Sequence, residues 1–280
     1  MNLNKTKYSE EDFSFAMKFI ASLAKIPMVH VDREQFLRQV FKSSEYIDTI
    51  IEKGPLAVYT VDSVRKKANE IINATTKKSS FASFVSGLPS SIVTMAASGS
   101  ADVAQYFLFA LNLAQKIAYL FNEDEIFTSG NENISEDSQV RMVSYLGAML
   151  GVNGATSLIA KTSQKMGTSI GKQVTKQALT KTAWYPLFKK IASSLGYQVT
   201  KNTVGKIIEK SVPILGGVLS GGITYLTFKP MGSKLADTFV KIANGELDDD
   251  LELNPEFIKA TIHETKKVEN IIDADFVDVE

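Results

Sequence analysis

Few side chains in this chain of 280 residues could carry out chemistry, and their types and spacing limit the choice. There is no cysteine, which excludes a disulfide framework, a thiolate zinc site and a cysteine nucleophile. The two histidines, His30 and His263, are far apart and belong to no HxxxH or HExxH pair. No GxxxxGKS/T or GxGxxG loop occurs, so the sequence predicts neither a metal site nor a nucleotide cofactor. Spacing alone neither assembles nor excludes a serine triad.

Three polar residues stand in or beside the apolar stretch from Ser79 to Phe121. Asp102 is its only acidic residue, and a carboxylate in apolar surroundings could serve a hydrolase that uses a serine. A structural role is the alternative, because aspartate suits the start of a helix and can pair with a buried lysine. Asn112 and Lys116 would share a narrow polar stripe with Asp102. We predict these three as buried polar residues and assign no catalytic residue.

Positive and negative charges are segregated along the chain, although its net charge is zero. Residues 138–208 contain ten lysines and arginines and no acidic residue, whereas residues 246–280 contain twelve acidic residues. Lysines at spacings of four, seven and four residues would share one helical face; they are Lys161, Lys165, Lys172 and Lys176. The basic region has a single arginine, which favours anionic lipid or a membrane protein over nucleic acid as a partner. An ordinary solvated face is the alternative.

Glycines recur at a spacing that lets two helices approach closely. Gly147 and Gly151 form one such pair, and the apolar segment from Ser211 to Phe228 contributes Gly216, Gly217, Gly221 and Gly222. Each glycine inside a helix costs roughly 1 kcal/mol relative to alanine, so close packing at these positions has to offset the cost. We predict close helix packing at all six glycines, with a local helix break as the alternative.

The recognisable hydrophobic periods along the chain are helical, so the sequence predicts an all-α fold. Ser9 and Asp32 mark the starts of predicted helices, and Gly54-Pro55 and Asn244-Gly245 mark ends. The apolar spacing places further helices from Leu56 to about Thr75 and after Ala101. The helix that follows Ala101 is apolar on nearly every side, which predicts that it is buried. The acidic sequence at 122–137 is predicted to be an exposed loop.

Three charge-free runs are long enough to consider as membrane spans, which need about 20 apolar residues. They lie at 79–101, 142–160 and 211–228. Small residues and a Gly-Leu-Pro break weaken the first run, and extending it would place Asp102 in the bilayer at a cost of about 2.5 to 3.5 kcal/mol. We therefore predict a helical fold outside the bilayer, with membrane insertion as the alternative. Acidic residues at 10–12 argue against a secretory signal and favour the cytoplasm.

Two long segments share their order of motifs with one protein family. The first is GLPSSIVTMAASGSADVAQYFLFALNLAQKIAYLFNEDE, with a Gly/Pro turn, a small-residue helix and an Asp-led apolar helix. The second is KIIEKSVPILGGVLSGGITYLTFKPMGSKLADTFVKI, in which a proline and paired glycines precede a final helix. Together they resemble the hallmark regions of the bacterial EcsC family, with Phe121-Asn122 where that family usually has Tyr-Gly. The resemblance implies a helical intracellular protein, encoded in its founding case beside an ABC transporter and without an established activity.

These features predict a multi-helix bundle around a central apolar, small-residue-rich helical hairpin. Residues 1–78 would form amphipathic N-terminal helices, residues 79–245 an EcsC-like core, and residues 246–280 an acidic, mobile tail. The leading hypothesis is a non-enzymatic accessory module, peripheral to the inner face of the membrane, that contacts anionic lipid or an inner-membrane protein. The alternatives are a membrane-inserting effector of the pore-forming, toxin or defence type, and a hydrolase that uses Asp102. No cofactor, metal or nucleic acid is expected.

Overall fold

The structure, a computed structural model, describes residues 10–23, 25–77, 80, 84, 101–127, 135–163, 189, 191–193 and 221–246. These residues form α-helices and short 3-10 helices, and the described part of the chain contains no strand. The prediction of an all-α fold is confirmed. The first arm of the predicted central hairpin and the acidic tail beyond residue 246 lie outside the described residues, so the proposed division into three regions stays a prediction.

The α-helices are numbered here in chain order. They are α1 (Glu10–Leu23), α2 (Arg33–Val40), α3 (Ile47–Lys53), α4 (Val61–Thr75), α5 (Ala101–Leu120), α6 (Glu136–Leu150), α7 (Ala155–Thr162) and α8 (Gly221–Ala243). Two 3-10 helices, at Pro27–Val29 and Pro55–Ala57, turn the chain after α1 and after α3. Both begin with proline, whose fixed φ suits the first helical position.

Helix α4 starts later than the apolar spacing predicts. The sequence favours a helix from Leu56, but Pro55–Ala57 form a separate 3-10 turn. Thr60 then caps α4, because its hydroxyl oxygen accepts a hydrogen bond from the Ser63 N–H at 3.3 Å. A threonine in this position satisfies one of the backbone donors that the first turn of a helix leaves unpaired. The helix therefore begins at Val61.

Helix α5 is the element against which most of the others pack. It contacts α1, α2, α4, α6 and α8 and the first 3-10 helix. Every side chain from Tyr106 to Leu120 is buried except that of Lys116, which is half-buried. Its aromatic rings meet neighbouring helices, with Phe107 at 5.6 Å from Phe19 of α1 between ring centroids. The prediction of a buried helix that is apolar on nearly all sides is confirmed.

Helix α8 packs against α4, α5, α6 and α7. Arg65 of α4 forms an ion pair with Asp237 of α8 at 2.7 Å and donates to the Ser233 hydroxyl at 2.8 Å. The two helices approach closely at Gly232, where an added Cβ would lie 3.0 Å from the Ile72 side chain. A larger residue here would force the Ile72 side chain to shift by a few tenths of an ångström, at a position that the sequence spacing does not single out.

One of the three apolar runs lies almost wholly within the described residues. The run at 142–160 is divided between α6 and α7 by a turn in which Gly151 and Gly154 take φ angles of 72° and 90°. These left-handed conformations suit glycine and interrupt the helix. Across the part of the chain that the structure describes, no helix combines the length and apolar character needed to cross a bilayer.

Candidate functional site

The four lysines predicted to share one helical face do not lie on one uninterrupted helix. Lys161 is in the last turn of α7, which ends at Thr162, and Ser163 takes extended backbone angles. The other three, Lys165, Lys172 and Lys176, lie outside the described residues. The helix that carries Lys161 therefore ends at Thr162, and the prediction of a single lysine face stays a prediction. Contact of these lysines with a membrane or partner stays a prediction.

The predicted buried polar residues occupy the central helix. Asn112 is buried, and Lys116 is half-buried among the apolar side chains of α5. Burial lowers the pKa of Lys116, because an ammonium charge loses solvation in apolar surroundings. Asp102 lies in the first turn of α5, and its side chain is outside what the structure describes.

The GxxxG pair in α6 has two different roles. At Gly147, an added Cβ would lie 2.6 Å from Ile191 Cγ2 and 3.3 Å from Ala155 Cβ, so this position requires a residue without a side chain. Gly151 instead ends α6 in the left-handed conformation, which corresponds to the helix break that was the alternative. Of the other four glycines, Gly221 and Gly222 begin α8, and Gly216 and Gly217 lie outside the described residues.

A buried ionic cluster joins the end of α5 to α6 and α7. One oxygen of the Glu123 carboxylate, Oε2, accepts from the Tyr145 hydroxyl at 3.0 Å and from Arg141 Nη2 at 3.3 Å. The other, Oε1, accepts from the Ser163 hydroxyl at 2.5 Å. The side chains of Glu123 and Arg141 are 2% and 1% exposed. These four residues are called the Glu123 cluster below.

The charges of the Glu123 cluster are compensated within the protein. Arg141 also donates to the backbone carbonyls of Asp124 and Glu125, at 2.5 and 3.4 Å. Burial disfavours the guanidinium charge, but interactions with Tyr145 and Glu123 outweigh it and raise the pKa of Arg141. Burial raises the pKa of the Tyr145 hydroxyl, against the opposing effect of Arg141. The cluster therefore holds an arginine cation and a neutral tyrosine at physiological pH.

The Glu123 cluster corrects the prediction of an exposed loop at 122–137. Asn122, Glu123 and Ile126 are buried, whereas Asp124 and Glu125 are exposed. A carboxylate is buried here because three donors satisfy it, an arrangement that composition does not reveal. The signal in the sequence was on the other side of the pair. Arg141 is the only basic residue of α6 and directly precedes the charge-free run at 142–160, where a buried cation requires an anion.

Asn122 anchors the chain reversal that brings Glu123 into the core. It follows α5 with a φ of 73°, and the Glu123 N–H bonds to the Ala118 carbonyl at 3.0 Å, the pattern of a left-handed helix end. Its side-chain amide accepts from the Leu56 N–H at 2.8 Å and donates to the Lys53 carbonyl at 3.2 Å. The end of α5 is thereby fixed to the turn after α3.

Two polar side chains fix the N-terminal helices to the same region. Gln115 of α5 donates to the Val29 carbonyl at 2.7 Å and accepts from the Val31 N–H at 3.1 Å. Arg33, the first residue of α2, donates to the Glu123 carbonyl at 3.0 Å. All three bonds connect residues more than 80 positions apart in sequence. The N-terminal helices and the central helix therefore form one packed unit.

Two open cavities lie on the surface of the described residues. The first, of about 260 Å³, lies between the α6–α7 turn and α8, and its lining includes Thr156, Lys234 and Lys241. The second, of about 480 Å³, lies between the end of α2 and the start of α4, beside Tyr59 and Lys67. Tyr59 and Ser44 both line the second cavity, and the Tyr59 hydroxyl donates to the Ser44 hydroxyl at 2.8 Å.

We searched the described part of the chain for side chains that could bind a metal ion or catalyse hydrolysis. It contains no group of three His, Asp or Glu side chains arranged to hold a metal ion. His30 stacks on Phe127, with 4.0 Å between ring centroids. One GxSxG sequence, Gly167 to Gly171, lies outside the described residues. In hydrolases this motif joins a strand to a helix.

No protein-family model matches the chain, and neither a curated protein nor a solved structure is significantly similar to it.

Proposed function

We propose that this chain is a non-enzymatic, EcsC-like helical module that binds the inner face of a bacterial membrane at its periphery. Its basic region at 138–208 would contact anionic lipid, and the acidic sequence at 246–280 would compete for the same charges. The observation that carries the proposal is this segregation of charge, ten basic residues without an acid in one region and twelve acidic residues in another. An inner-membrane protein with an acidic surface is the alternative partner.

The contacts of the Glu123 cluster support a structural rather than a catalytic use of the buried charges. Glu123 and Arg141 satisfy each other and the neighbouring backbone, and both are almost fully buried. A catalytic carboxylate has to reach a substrate or a water molecule. The cluster instead joins α5, α6 and α7 into a scaffold. The basic region begins on that scaffold, in α6 and α7.

The turn after α5 is consistent with the family resemblance. Asn122 occupies the position where the EcsC family usually has glycine, and it takes a φ of 73°. Glycine adopts this left-handed conformation without strain, and asparagine is the next most tolerant residue. This backbone requirement gives a physical reason for the departure from the family's usual Tyr-Gly.

Flotation on liposomes tests the proposal. A lysine near an anionic surface contributes about 1 kcal/mol, so replacing Lys161, Lys165, Lys172 and Lys176 by glutamine should weaken partition onto anionic vesicles by roughly tenfold or more. The matched control replaces four exposed lysines from other parts of the fold, at Lys18, Lys25, Lys42 and Lys66. The same partition for both fourfold variants would reject the assignment of the basic region.

Release of a trapped dye separates the proposal from the membrane-inserting alternative. A peripheral module should bind anionic vesicles without releasing their contents, because its apolar helices remain in the core. Dye release at protein concentrations that saturate binding would favour the pore-forming alternative.

The hydrolase alternative predicts a hydrolytic activity of the chain. Asp102→Asn should abolish that activity while the variant still folds.

A further inference from the structure

We propose that the last ten residues of the chain, 271–280, dock into the cavity between the end of α2 and the start of α4. The cavity has a volume of about 480 Å³, and four apolar or aromatic side chains, three serines and two lysines line it. The inference does not depend on the membrane proposal, because it concerns the N-terminal helices and not the basic region at 138–208. Three properties select the occupant: the apolar space, the charge of the lining and the place where the chain leaves the fold.

The apolar part of the lining has room for one aromatic side chain. Phe41 and Tyr59 stack with 5.4 Å between ring centroids and 17° between ring planes, and Val40 and Val64 also line the cavity. An apolar cavity of about 150 Å³ is enough to bind benzene, so this larger and open one accommodates a phenyl ring with part of its backbone. Val40 and Tyr59 are only half-buried. A ring that enters the cavity would therefore remove their apolar surface, as well as its own, from water.

The charge of the lining favours an acidic occupant over a basic one. The lining contains two lysines and no acidic residue. Lys67 pairs with Glu70 at 2.6 Å, so its charge is already compensated and is not counted. Lys42 is exposed, and no acidic side chain of the described residues pairs with it. The cavity therefore combines an aromatic wall with one uncompensated positive charge.

Residues 271–280 match this combination. Their sequence, IIDADFVDVE, places Phe276 between acidic residues on both sides and contains no basic residue. The other phenylalanine of the acidic sequence, Phe257, is followed two positions later by Lys259. A lysine so close to the anchoring ring would be repelled by Lys42. The segment around Phe276 is therefore the better occupant of the two.

The chain leaves α8 at the same end of α4 as the cavity. An added Cβ at Gly232 of α8 would lie 3.0 Å from Ile72 of α4, whereas Asp237, further along α8, pairs with Arg65, earlier in α4. These two contacts show that the helices are antiparallel. The carboxyl end of α8 therefore lies toward the first turn of α4, which contributes Ser63 to the lining.

The remaining chain is long enough to reach the cavity. Phe276 lies 30 residues after Glu246, the last described residue, and 30 extended residues span up to about 100 Å. Docking therefore requires no described helix to unfold. Because the segment belongs to the same chain, its docking also avoids the entropic cost of bringing two molecules together.

Disulfide crosslinking in the full chain tests the proposal, because the chain has no cysteine of its own. Ser43→Cys changes an exposed residue of the lining, and Val277→Cys changes the neighbour of Phe276. A disulfide needs Cα atoms about 4.4 to 6.8 Å apart, an approach that docking favours. The matched control combines Val277→Cys with Ser22→Cys, which is exposed on α1 and outside the lining. Under mild oxidation the first pair should form its intramolecular disulfide at least tenfold faster than the control.

Removal of the anchoring ring should abolish this advantage. Adding Phe276→Ser to the Ser43→Cys and Val277→Cys pair should slow disulfide formation about tenfold, because burial of a phenylalanine ring contributes at least that factor. Equal rates for the lining pair and the control pair would overturn the proposal, and so would an unchanged rate with Phe276→Ser. A disulfide between two copies, seen as a dimer on non-reducing electrophoresis, would overturn docking within one chain.

Amide NMR of chains without engineered cysteines gives a second measurement. Phe276→Ser should shift the amide signals of Ser44 and Ser63, because their cavity loses its occupant. Phe257→Ser, the matched change in the same acidic sequence, should leave both signals in place. Unchanged signals for Phe276→Ser, or equal shifts for the two variants, would overturn the proposal. The flotation assay follows the lysines of the basic region, so the two proposals can fail independently.

Discussion

At the scale of single residues, the Glu123 cluster is the feature that sequence patterns do not reveal. The acidic composition around Glu123 indicates solvent exposure, yet this carboxylate is 2% exposed and bonded to Arg141, Tyr145 and Ser163. The partners are 18, 22 and 40 residues away, so only tertiary packing brings them together. In contrast, the burial of Asn112 follows directly from its place in an apolar helix.

Replacing Glu123 by glutamine should strongly destabilise the fold. The change leaves the Arg141 cation buried without its anion, which predicts a loss of about 3 to 5 kcal/mol in the free energy of unfolding. Urea denaturation measures it. The control Glu34→Gln removes an exposed i,i+4 pair with Arg38 and should cost no more than about 0.5 kcal/mol. Similar losses for the two variants would contradict the role of the cluster.

Lys116 should make stability depend on pH in the alkaline range. Its pKa is lowered by burial, so the folded state releases this proton at a lower pH than the unfolded state. Between the two pKa values the unfolded chain binds more protons, and stability therefore rises with pH. Lys116→Met should be more stable than the original chain at neutral pH, and the difference should shrink as pH approaches 10.5. A difference that stays constant with pH would show that Lys116 has the same pKa in the folded and unfolded states, which would contradict the effect of its burial.

At the scale of elements, helix type and order follow from the sequence more reliably than helix ends do. Asp32 caps α2 as predicted, accepting from the Gln35 N–H at 2.7 Å. Helix α8 stops before Asn244-Gly245, also as predicted. The predicted start of α4 at Leu56 is wrong, because a 3-10 turn at Pro55–Ala57 precedes the Thr60 cap. Helix α7 ends at Thr162, and the hydroxyl of the next residue, Ser163, donates to Glu123.

Gly147→Ala should destabilise the packing of α6. Its Cβ would lie 2.6 Å from Ile191 Cγ2, and such overpacking costs about 1 to 3 kcal/mol. Thermal unfolding of the single variants and of Gly147→Ala with Ile191→Ala measures the coupling. Ile191→Ala removes Cγ2 with the rest of the side chain beyond Cβ, so the double variant should be more stable than the sum of the single changes predicts. Strict additivity of the two changes in stability would show that the Ile191 side chain is not the reason why Gly147→Ala destabilises the fold.

At the scale of the whole molecule, the described helices form one apolar core built on α5, and positive and negative charges are segregated along the sequence. Composition and hydrophobic period predict the first property, because a helix apolar on all sides has to be buried. The segregation of charge, in contrast, is established only along the sequence.

The most direct test of the central claim is flotation on anionic vesicles as a function of salt, for the full chain and for a chain that ends at Glu246. The proposal predicts binding that requires anionic lipid and weakens as the Debye length falls from about 10 Å at 0.1 M to about 3 Å at 1 M salt. Removal of the acidic residues beyond Glu246 should strengthen it. Binding that is indifferent to salt and lipid charge, with no gain on truncation, would contradict the account.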